Sequence, residues 1–203
     1  MALHTEKLTT TRFARRPFWS TQSRGAVLLT FDDGPHPVYT AEVLEHLDRF
    51  GVKAAFFLLG NRVMTSADLA RRMCEVGHPI GNHTHSHPRP TWFGFRAAHR
   101  EISLCQQAVS EVTGESPTLF RPPMGRWTLP LRLATFRHRL RPVGWTLDSG
   151  DWRVRGNQDA EQCCDEVLDT VHPGDVILFH DYHPWIGRIV QRLLPGLSER
   201  GLL

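Results

Sequence analysis

The sequence predicts an α/β fold in which parallel strands form a barrel-like sheet. From Ala26 onwards, short apolar runs alternate with amphipathic stretches, which is typical of βα units around a parallel sheet. Polar clusters follow several of these runs directly, and the C-terminal ends of parallel strands gather on one face of such a sheet. The length of 203 residues and an apolar fraction of 40% suit one domain with a sizeable core. We therefore expect one shared functional site.

The apolar periodicity assigns the elements in chain order. Strands are predicted at residues 26–31, 53–59, 119–120, 142–147 and 175–179, with a brief apolar run at 79–80. Helices are predicted at residues 40–50, 67–76 and 97–112, with further helices between and after the later strands. Val43, Leu44 and Leu47 are at helical spacing in the first helix. Gly77 and Gly114 are natural stops for the second and third helices.

The N-terminal residues differ from the rest of the chain. Residues 1–24 lack periodicity, which predicts an extension before a single domain at residues 25–203. Arg15-Arg16 faintly resembles a twin-arginine export signal, but no apolar stretch follows it. No run approaches the roughly 18 apolar residues that a membrane-spanning helix needs. We expect a cytoplasmic protein without a membrane span.

The composition excludes several classes of protein. The 24 basic and 21 acidic residues leave a net charge of only +3. The arginines are scattered, without the continuous basic face and interleaved aromatics that nucleic-acid binding requires, so no nucleic-acid partner is expected. The arginine bias is compatible either with phosphate binding or with a plain surface preference. Four cysteines without a C-x-x-C pair predict reduced, buried thiols.

Two adjacent carboxylates, Asp32 and Asp33, follow the first predicted strand and precede Gly34-Pro35. Neighbouring residues on an extended segment point in opposite directions, so the two acids can play different parts. One can ligate a cation while the other accepts a proton. Taken alone, an Asp-Asp-Gly-Pro turn is more often a solvated loop.

His83 and His87 are four residues apart, a spacing that allows both imidazoles to bind one metal. With 12 histidines in 203 residues, chance alone gives roughly 0.7 such pairs, so the spacing by itself is weak evidence. A carboxylate from another strand end strengthens the evidence for a metal site. Two histidines and one aspartate with open positions make a catalytic divalent-metal site.

Three further polar fragments follow predicted strands. In Arg121–Gly125 the arginine can clamp a carboxylate and the glycine-containing turn can expose backbone N–H groups, although a rigid loop explains it as well. Residues 148–152 and the segment ending at His180 are the other two. A strand-end histidine with a carboxylate nearby suits a general acid, and a hydrogen-bonded structural histidine is the alternative.

In order along the chain, these five fragments resemble the motifs of the polysaccharide deacetylase family, also called carbohydrate esterase family 4 or the NodB-homology family. The matching fragments are Thr30-Phe31-Asp32-Asp33-Gly34-Pro35, His83-Thr84-x-x-His87, Arg121-x-Pro123-x-Gly125, Asp148-x-x-Asp151-Trp152 and Leu178-x-His180. The resemblance runs from about Ala26 to the C-terminus. It implies a catalytic domain at residues 25–203, folded as a distorted (β/α) barrel of about seven units.

The resemblance also implies a divalent metal, usually zinc, although cobalt or another divalent ion can serve. Asp33, His83 and His87 would be its ligands. Asp32 would be the base that deprotonates the attacking water. Arg121 would pair with Asp32 and hold it ionised.

The remaining implied roles concern the acid and the pocket. His180 would protonate the departing amine, and Asp148 would orient and charge His180. The metal and the backbone N–H of Met124 would stabilise the oxyanion. The implied oxyanion and acetyl pocket comprises Met124, Pro123, Trp152 and Leu178. An N-acetylated carbohydrate would be the substrate.

The chain departs from the family pattern at two places. Met124 stands where the family commonly has tyrosine. The backbone N–H donor is kept, but the sugar contacts of the tyrosine ring are lost, which leaves the substrate preference open. The chain stops at Gly201-Leu202-Leu203, so the last strand of the barrel is expected to be short or missing. Trp92 and Phe93 either stack on a sugar or pack inward.

The sequence is compatible with three functions. The first hypothesis is removal of acetyl from an N-acetylglucosamine-containing oligosaccharide, polysaccharide or glycolipid precursor. The same site suits removal of a formyl or another small acyl group from a sugar. A non-catalytic carbohydrate-binding relative is the third hypothesis, and it predicts the loss of a catalytic group.

Overall fold

The computed structural model describes residues 25–89 and 94–203. Within them, the strands are β1 (Leu28–Asp32), β2 (Ala55–Leu58), β3 (Ile80–Asn82), β4 (Leu119–Phe120), β5 (Arg141–Pro142), β6 (Leu147–Asp148) and β7 (Val176–His180). The helices are α1 (Tyr39–Phe50), α2 (Gly60–Thr65), α3 (Ala67–Glu75), α4 (Phe95–Thr113), α5 (Leu129–Arg137), α6 (Asn157–Thr170) and α7 (Ile186–Glu199). The predicted extension at residues 1–24, and with it the boundary at residue 25, lies outside the described residues, as do Trp92 and Phe93.

The strands form one sheet in the order β5-β4-β3-β2-β1-β7-β6, and all its ladders are parallel. The two edge strands, β5 and β6, are consecutive in the chain and are joined by residues 143–146. Such a short connection between opposite edges requires the sheet to curl, because four residues span only about 14 Å. The predicted barrel-like parallel fold is therefore confirmed.

Side-chain alternation along β1 separates the two faces of the sheet. Leu29 and Phe31 belong to the large cluster formed with the surrounding helices, and the Phe31 ring stacks on Phe56 and Phe179 with centroids 5.1 and 5.7 Å away. Leu28 belongs to a separate cluster on the inner face. The same alternation turns Asp32 inward, so burial of the apolar residues fixes the direction of the first carboxylate.

One predicted strand is wrong in its extent. Residues 142–147 do not form a single strand, because β5 and β6 lie at opposite edges of the sheet. The carbonyl groups of Val143 and Gly144 accept hydrogen bonds from the Arg121 side chain, at 3.2 and 2.8 Å, instead of joining a ladder. The connection between the sheet edges is thus held by a polar side chain from the barrel interior.

The C-terminus agrees with the expected short or missing last strand. Among the described residues, no strand follows α7. The Leu202 carbonyl nevertheless accepts a hydrogen bond of 2.8 Å from the Val27 N–H, next to the start of β1. This backbone hydrogen bond holds the C-terminal residues beside the start of β1.

The cysteines bear on the prediction of reduced, buried thiols. Cys105, Cys163 and Cys164 are buried and Cys74 is partly buried, all as free cysteines. Burial raises the pKa of Cys105 and of Cys163 to about 12, which agrees with inert, reduced thiols.

No helix of the described residues is long and apolar enough to cross a membrane. The cytoplasmic location stays a prediction.

Candidate active site

The polar residues singled out in the sequence meet at the C-terminal edge of the sheet. Asp32 ends β1 and Asp33 follows it, His83 follows β3, Arg121 follows β4, and His180 ends β7. Asp32 and His180 are register partners on neighbouring parallel strands. The expected convergence at strand ends is confirmed.

Asp33, His83 and His87 form a compact set of three metal-ligating side chains. The Asp33 Oδ1 atom lies 3.5 Å from the Nε2 atom of each histidine, and one ligand atom from each residue falls within 4.8 Å of the others. Asp33 Oδ1 is buried and has no hydrogen-bond partner. An unsatisfied buried carboxylate oxygen facing two imidazoles fits a divalent cation.

The protonation state of His83 suits ligation. Its Nδ1 atom lies 2.7 Å from the Arg121 carbonyl oxygen and donates to it, which leaves the Nε2 lone pair facing Asp33. Burial lowers the pKa of His83 to about 3, against the opposing charge of Asp33. The imidazole is therefore neutral at physiological pH, as a metal ligand must be.

The backbone is strained where these ligands converge. Asp33, Thr84 and His87 have φ angles of 75°, 74° and 54°, and a left-handed residue other than glycine costs on the order of 1–3 kcal/mol. Arg62 Nη1 donates to the Asp33 carbonyl at 2.8 Å, and the Asn82 side chain accepts from the Thr84 N–H at 2.9 Å. These contacts hold the strained conformations that bring the ligand atoms together.

Asp32 and Arg121 form a fully buried ion pair. Arg121 Nη1 lies 2.7 Å from Asp32 Oδ1 and also donates to Thr30 Oγ1 at 2.9 Å. The guanidinium lies over the Phe57 ring, 4.1 Å from its centroid. Burial raises the pKa of Asp32, and the adjacent Arg121 charge limits this rise and favours the carboxylate. The second Asp32 oxygen, Oδ2, lies 3.7 Å from His83 Nε2, on the side of the metal ligands.

His180 is paired with Asp151. The His180 Nδ1 atom lies 2.9 Å from Asp151 Oδ1, and the His180 backbone N–H donates to Asp151 Oδ2 at 2.6 Å. Burial opposes protonation, but the hydrogen bond and charge of Asp151, with Asp32 and Asp33 beyond it, raise the pKa of His180 to about 9. The imidazole is therefore a cation at neutral pH, with Nε2 as its remaining donor.

Comparison with known proteins gives the family. A family model described as polysaccharide deacetylase matches residues 20–143, more than half of the chain. The chain belongs to the polysaccharide deacetylase family.

Relatives of this polysaccharide deacetylase support the assignment. A chitooligosaccharide deacetylase of Bradyrhizobium sp. (strain ANU 289) is 33% identical over 202 residues, with 92% of this chain and 91% of the relative covered. The structure of peptidoglycan deacetylase PdaC from Bacillus subtilis has a TM-score of 0.80 at 30% identity, covering 87% of this chain and 85% of that chain. A family 4 carbohydrate esterase from Streptomyces lividans, in complex with acetate, has a TM-score of 0.79 at 32% identity, covering 87% and 90%. The likeness confirms the distorted barrel.

The structure of this polysaccharide deacetylase corrects the assignment of Asp148. Asp148 is exposed, and its carboxylate accepts from the Gly150 N–H at 2.9 Å instead of contacting His180. Gly150 has a φ of 71° and precedes a 3₁₀ turn at Asp151–Arg153. This turn directs the buried Asp151 side chain towards β7. Both acids lie in one matching fragment, so the pattern alone does not distinguish between them.

His183 is a second partner of Asp151 that the sequence reasoning missed. Its Nε2 atom lies 3.1 Å from Asp151 Oδ2, and its Nδ1 atom accepts from the Trp185 N–H at 3.3 Å. The hydrogen bonds from His180 and His183 outweigh burial and lower the pKa of Asp151 to about 2. The only signal in the sequence was a histidine three residues after His180.

The residues of the predicted acetyl pocket lie within three positions of site residues along the chain. Leu178 is buried two residues before His180, and Trp152 is half-exposed beside Asp151. Pro123 is buried, whereas Met124 is exposed and has a φ of 57°. The turn that carries these two residues is anchored inside the barrel, since a Cβ added to Gly125 would lie 2.3 Å from the Trp145 ring.

Tyr182 and Arg62 are further residues of the site that sequence reasoning did not single out. The Tyr182 ring meets His180 edge-on, with centroids 5.8 Å apart. The Arg62 guanidinium lies 5.6 Å from the Tyr182 ring centroid, while its Nη1 holds the Asp33 carbonyl. Neither residue belongs to a matching fragment. Their positions at the site depend on how α2 and the loop after β7 pack, which the sequence motifs do not indicate.

Proposed function

We propose that the chain is a metal-dependent hydrolase that removes N-acetyl groups from N-acetylglucosamine-containing oligosaccharides or polysaccharides. One observation carries the proposal. The set Asp33, His83 and His87, in which Asp33 Oδ1 has no hydrogen-bond partner, lies at the same sheet edge as a carboxylate paired with a buried arginine and an imidazolium paired with Asp151. Amide hydrolysis needs such a combination, because an amide is a poor electrophile with a poor leaving group.

The metal would be held by Asp33 Oδ1, His83 Nε2 and His87 Nε2. Two imidazoles and one carboxylate suit zinc, and cobalt is compatible with the same donors. When bound, a divalent cation polarises a carbonyl and supplies a nucleophilic water at neutral pH. The unpartnered Asp33 oxygen and the neutral His83 support this assignment.

Asp32 would act as the general base. Its Oδ1 atom is held by Arg121, whereas Oδ2 faces the ligand set. This leaves Oδ2 available to accept the proton of the water that attacks the acetamide carbonyl. Arg121 would be a positioning residue, since it is buried and its side chain holds Asp32, the Thr30 hydroxyl and the backbone of residues 143 and 144.

His180 would act as the general acid. Asp151 binds Nδ1 and keeps the ring charged, so the Nε2–H group is the proton donor for the departing amine. The Met124 N–H would donate to the oxyanion, an interaction worth about 3 kcal/mol in comparable sites. Pro123, Trp152 and Leu178 would surround the acetyl methyl group.

The relatives and the aromatic side chains at the site support one substrate class. The Bradyrhizobium relative is named for chitooligosaccharides and matches this chain over nearly its whole length. Trp152 and Tyr182 are partly exposed aromatic side chains next to the catalytic pair, and such rings stack on sugar faces. Short N-acetylglucosamine oligomers are the substrates we propose.

The proposal is tested by acetate release from chitin oligosaccharides. The protein is stripped of metal with a chelator and reconstituted with zinc or cobalt, and acetate and formate are measured on a panel of N-acylated sugars. We expect acetate release that is lost on stripping and recovered on reconstitution. Protein with one bound metal per chain that releases neither acetate nor formate would overturn the proposal.

A further inference from the structure

Helix α5 exposes large apolar side chains on its solvent side. Leu129, Leu133 and Phe136 are 70%, 47% and 83% exposed, at the spacing i, i+4, i+7 of one helix face. Arg132 and Arg137 are exposed on the same face. We call these five residues the α5 outer face. A helix on a protein surface normally presents polar residues to water, so this apolar face is a candidate interaction surface.

The apolar residues of the outer face are not required for folding. The opposite side of α5 packs against α4 and the sheet. Its buried members are Leu131, Ala134 and Thr135, of which the first two join Ala98, Ile102, Phe120 and Leu140 in a separate apolar cluster. The helix therefore has a complete buried face of its own.

The surroundings of the outer face are basic. Residues 116–147 contain six arginines and not one aspartate or glutamate. Arg121 is buried in the active site, but Arg126 and Arg139 are exposed and flank α5 in the sequence. The neighbouring helix α4 carries two acids, of which Glu101 accepts hydrogen bonds from the backbone N–H groups of residues 85 and 86 and Glu111 accepts one from the Gln107 side chain. The segment that carries the outer face therefore has basic residues and no acidic ones.

Charge restricts what can cover this face. A second copy of the chain would bring one basic face against another in a symmetric contact. Residues 1–24 are also basic, with Lys7 and four arginines against the single acid Glu6. Both occupants would add like charges to the contact. The partner must combine apolar surface with negative charge.

We propose that the α5 outer face docks on an anionic lipid membrane. Phe136 and the two leucines would enter the interface between headgroups and acyl chains, while Arg132 and Arg137 would bind lipid phosphates. The strip is one helix wide and lies on an outer helix of the barrel, which suits a broad planar surface. Docking does not depend on the proposed reaction, since none of the five residues belongs to the active site.

The inference is tested with full-length protein and vesicles. Co-sedimentation is measured with phosphatidylcholine vesicles and with vesicles containing phosphatidylglycerol. We expect binding to the anionic vesicles that weakens with salt. Leu133→Ser combined with Phe136→Ser should weaken it by at least about tenfold, and Arg132→Gln combined with Arg137→Gln by a similar factor. Phe50→Ser, at an exposed phenylalanine on α1, is the matched control and should bind like the wild type.

Other outcomes overturn the inference. These are absence of binding to anionic vesicles, equal binding by the Leu133/Phe136 double variant, and lipid-independent dimers that the double variant abolishes. Acetate release from soluble chitin oligosaccharides and the thermal midpoint show that each variant is folded. Loss of vesicle binding with intact acetate release supports the docking surface separately from the catalytic assignment.

Discussion

Asp151 and Asp148 lie three residues apart, and only Asp151 contacts the histidine at the end of β7. The contact matters for charge because burial alone would keep His180 neutral. The folded-state pKa of His180, about 9, exceeds its ordinary value of 6.5. The pairing therefore stabilises the fold fully below pH 6.5, and this contribution is lost as the pH rises towards 9.

Asp151→Asn should lower activity by about 10²–10⁴-fold, because the general acid loses both its orientation and its charge partner. The pH profile should change with it. In the wild type, turnover should fall as the pH rises through about 9, whereas in the variant the fall should begin at lower pH. Steady-state acetate release between pH 5 and 10 measures both effects.

Asp148→Asn is the matched control for this prediction. Its carboxylate is exposed and caps a local turn, so activity and pH profile should stay close to those of the wild type. A large loss in Asp148→Asn together with an active Asp151→Asn would restore the assignment made from the sequence and contradict the geometry.

Arg62 holds the backbone of Asp33 through a hydrogen bond to its carbonyl group. Arg62→Ala should release the strained conformation of Asp33 and weaken metal affinity by about 10–100-fold, as loss of outer contacts does at other metal sites. Competition with a chromophoric chelator measures the affinity directly. Arg72→Ala removes an exposed ion pair with Asp48 and should leave the affinity unchanged. Equal affinities in the two variants would show that Arg62 does not support the metal ligand.

At the scale of elements, periodicity predicted helices α1, α3 and α4 and the buried strands, including the short β4, but missed α2 and the separation of β5 from β6. The pattern of Val43, Leu44 and Leu47 is confirmed by their burial in α1. Helix α2 has six residues, too few for a 3.6-residue period to show. The strands at 141–142 and 147–148 have two residues each. Their positions depend on long-range pairing and on Arg121, which no local pattern reveals.

The packing of α2 on α4 gives a prediction at this scale. A Cβ added to Gly60 would lie 2.8 Å from the Cys105 backbone and 2.6 Å from His85 Nδ1. Gly60→Ala should therefore lower the free energy of unfolding by about 1–3 kcal/mol. Gly144→Ala, where an added Cβ meets nothing within 4 Å, should change it by less than about 0.5 kcal/mol. Urea denaturation of both variants measures their free energies of unfolding, and equal values would contradict the described contact.

At the scale of the whole molecule, the parallel sheet explains why five dispersed fragments form one site. Strand-end position allowed the sequence to predict which residues converge. It did not predict Asp151 as the partner of His180, nor His183 and Arg62, because these depend on turns and on side-chain direction. The basic, apolar α5 outer face also appears only in three dimensions. It would hold the enzyme close to sugars carried at a membrane.

Metal removal gives a prediction for the entire domain. Because a site built from distant strand ends exists only in the folded chain, a bound cation stabilises the native state. At a zinc concentration roughly 100-fold above Kd, the thermal midpoint should exceed that of stripped protein by about 5–10 °C. Differential scanning fluorimetry with and without chelator measures the shift. An unchanged midpoint in protein that retains its fold would argue against Asp33, His83 and His87 as the metal ligands.

Asp32 and Asp33 are assigned different functions, in which Asp32 accepts a proton and Asp33 holds the metal. The most direct measurement is metal content together with acetate release in Asp32→Asn. The variant should retain about one metal per chain yet lose turnover by at least about 10²-fold, since a neutral amide cannot accept the proton. An Asp32→Asn variant with bound metal and undiminished acetate release would contradict the account.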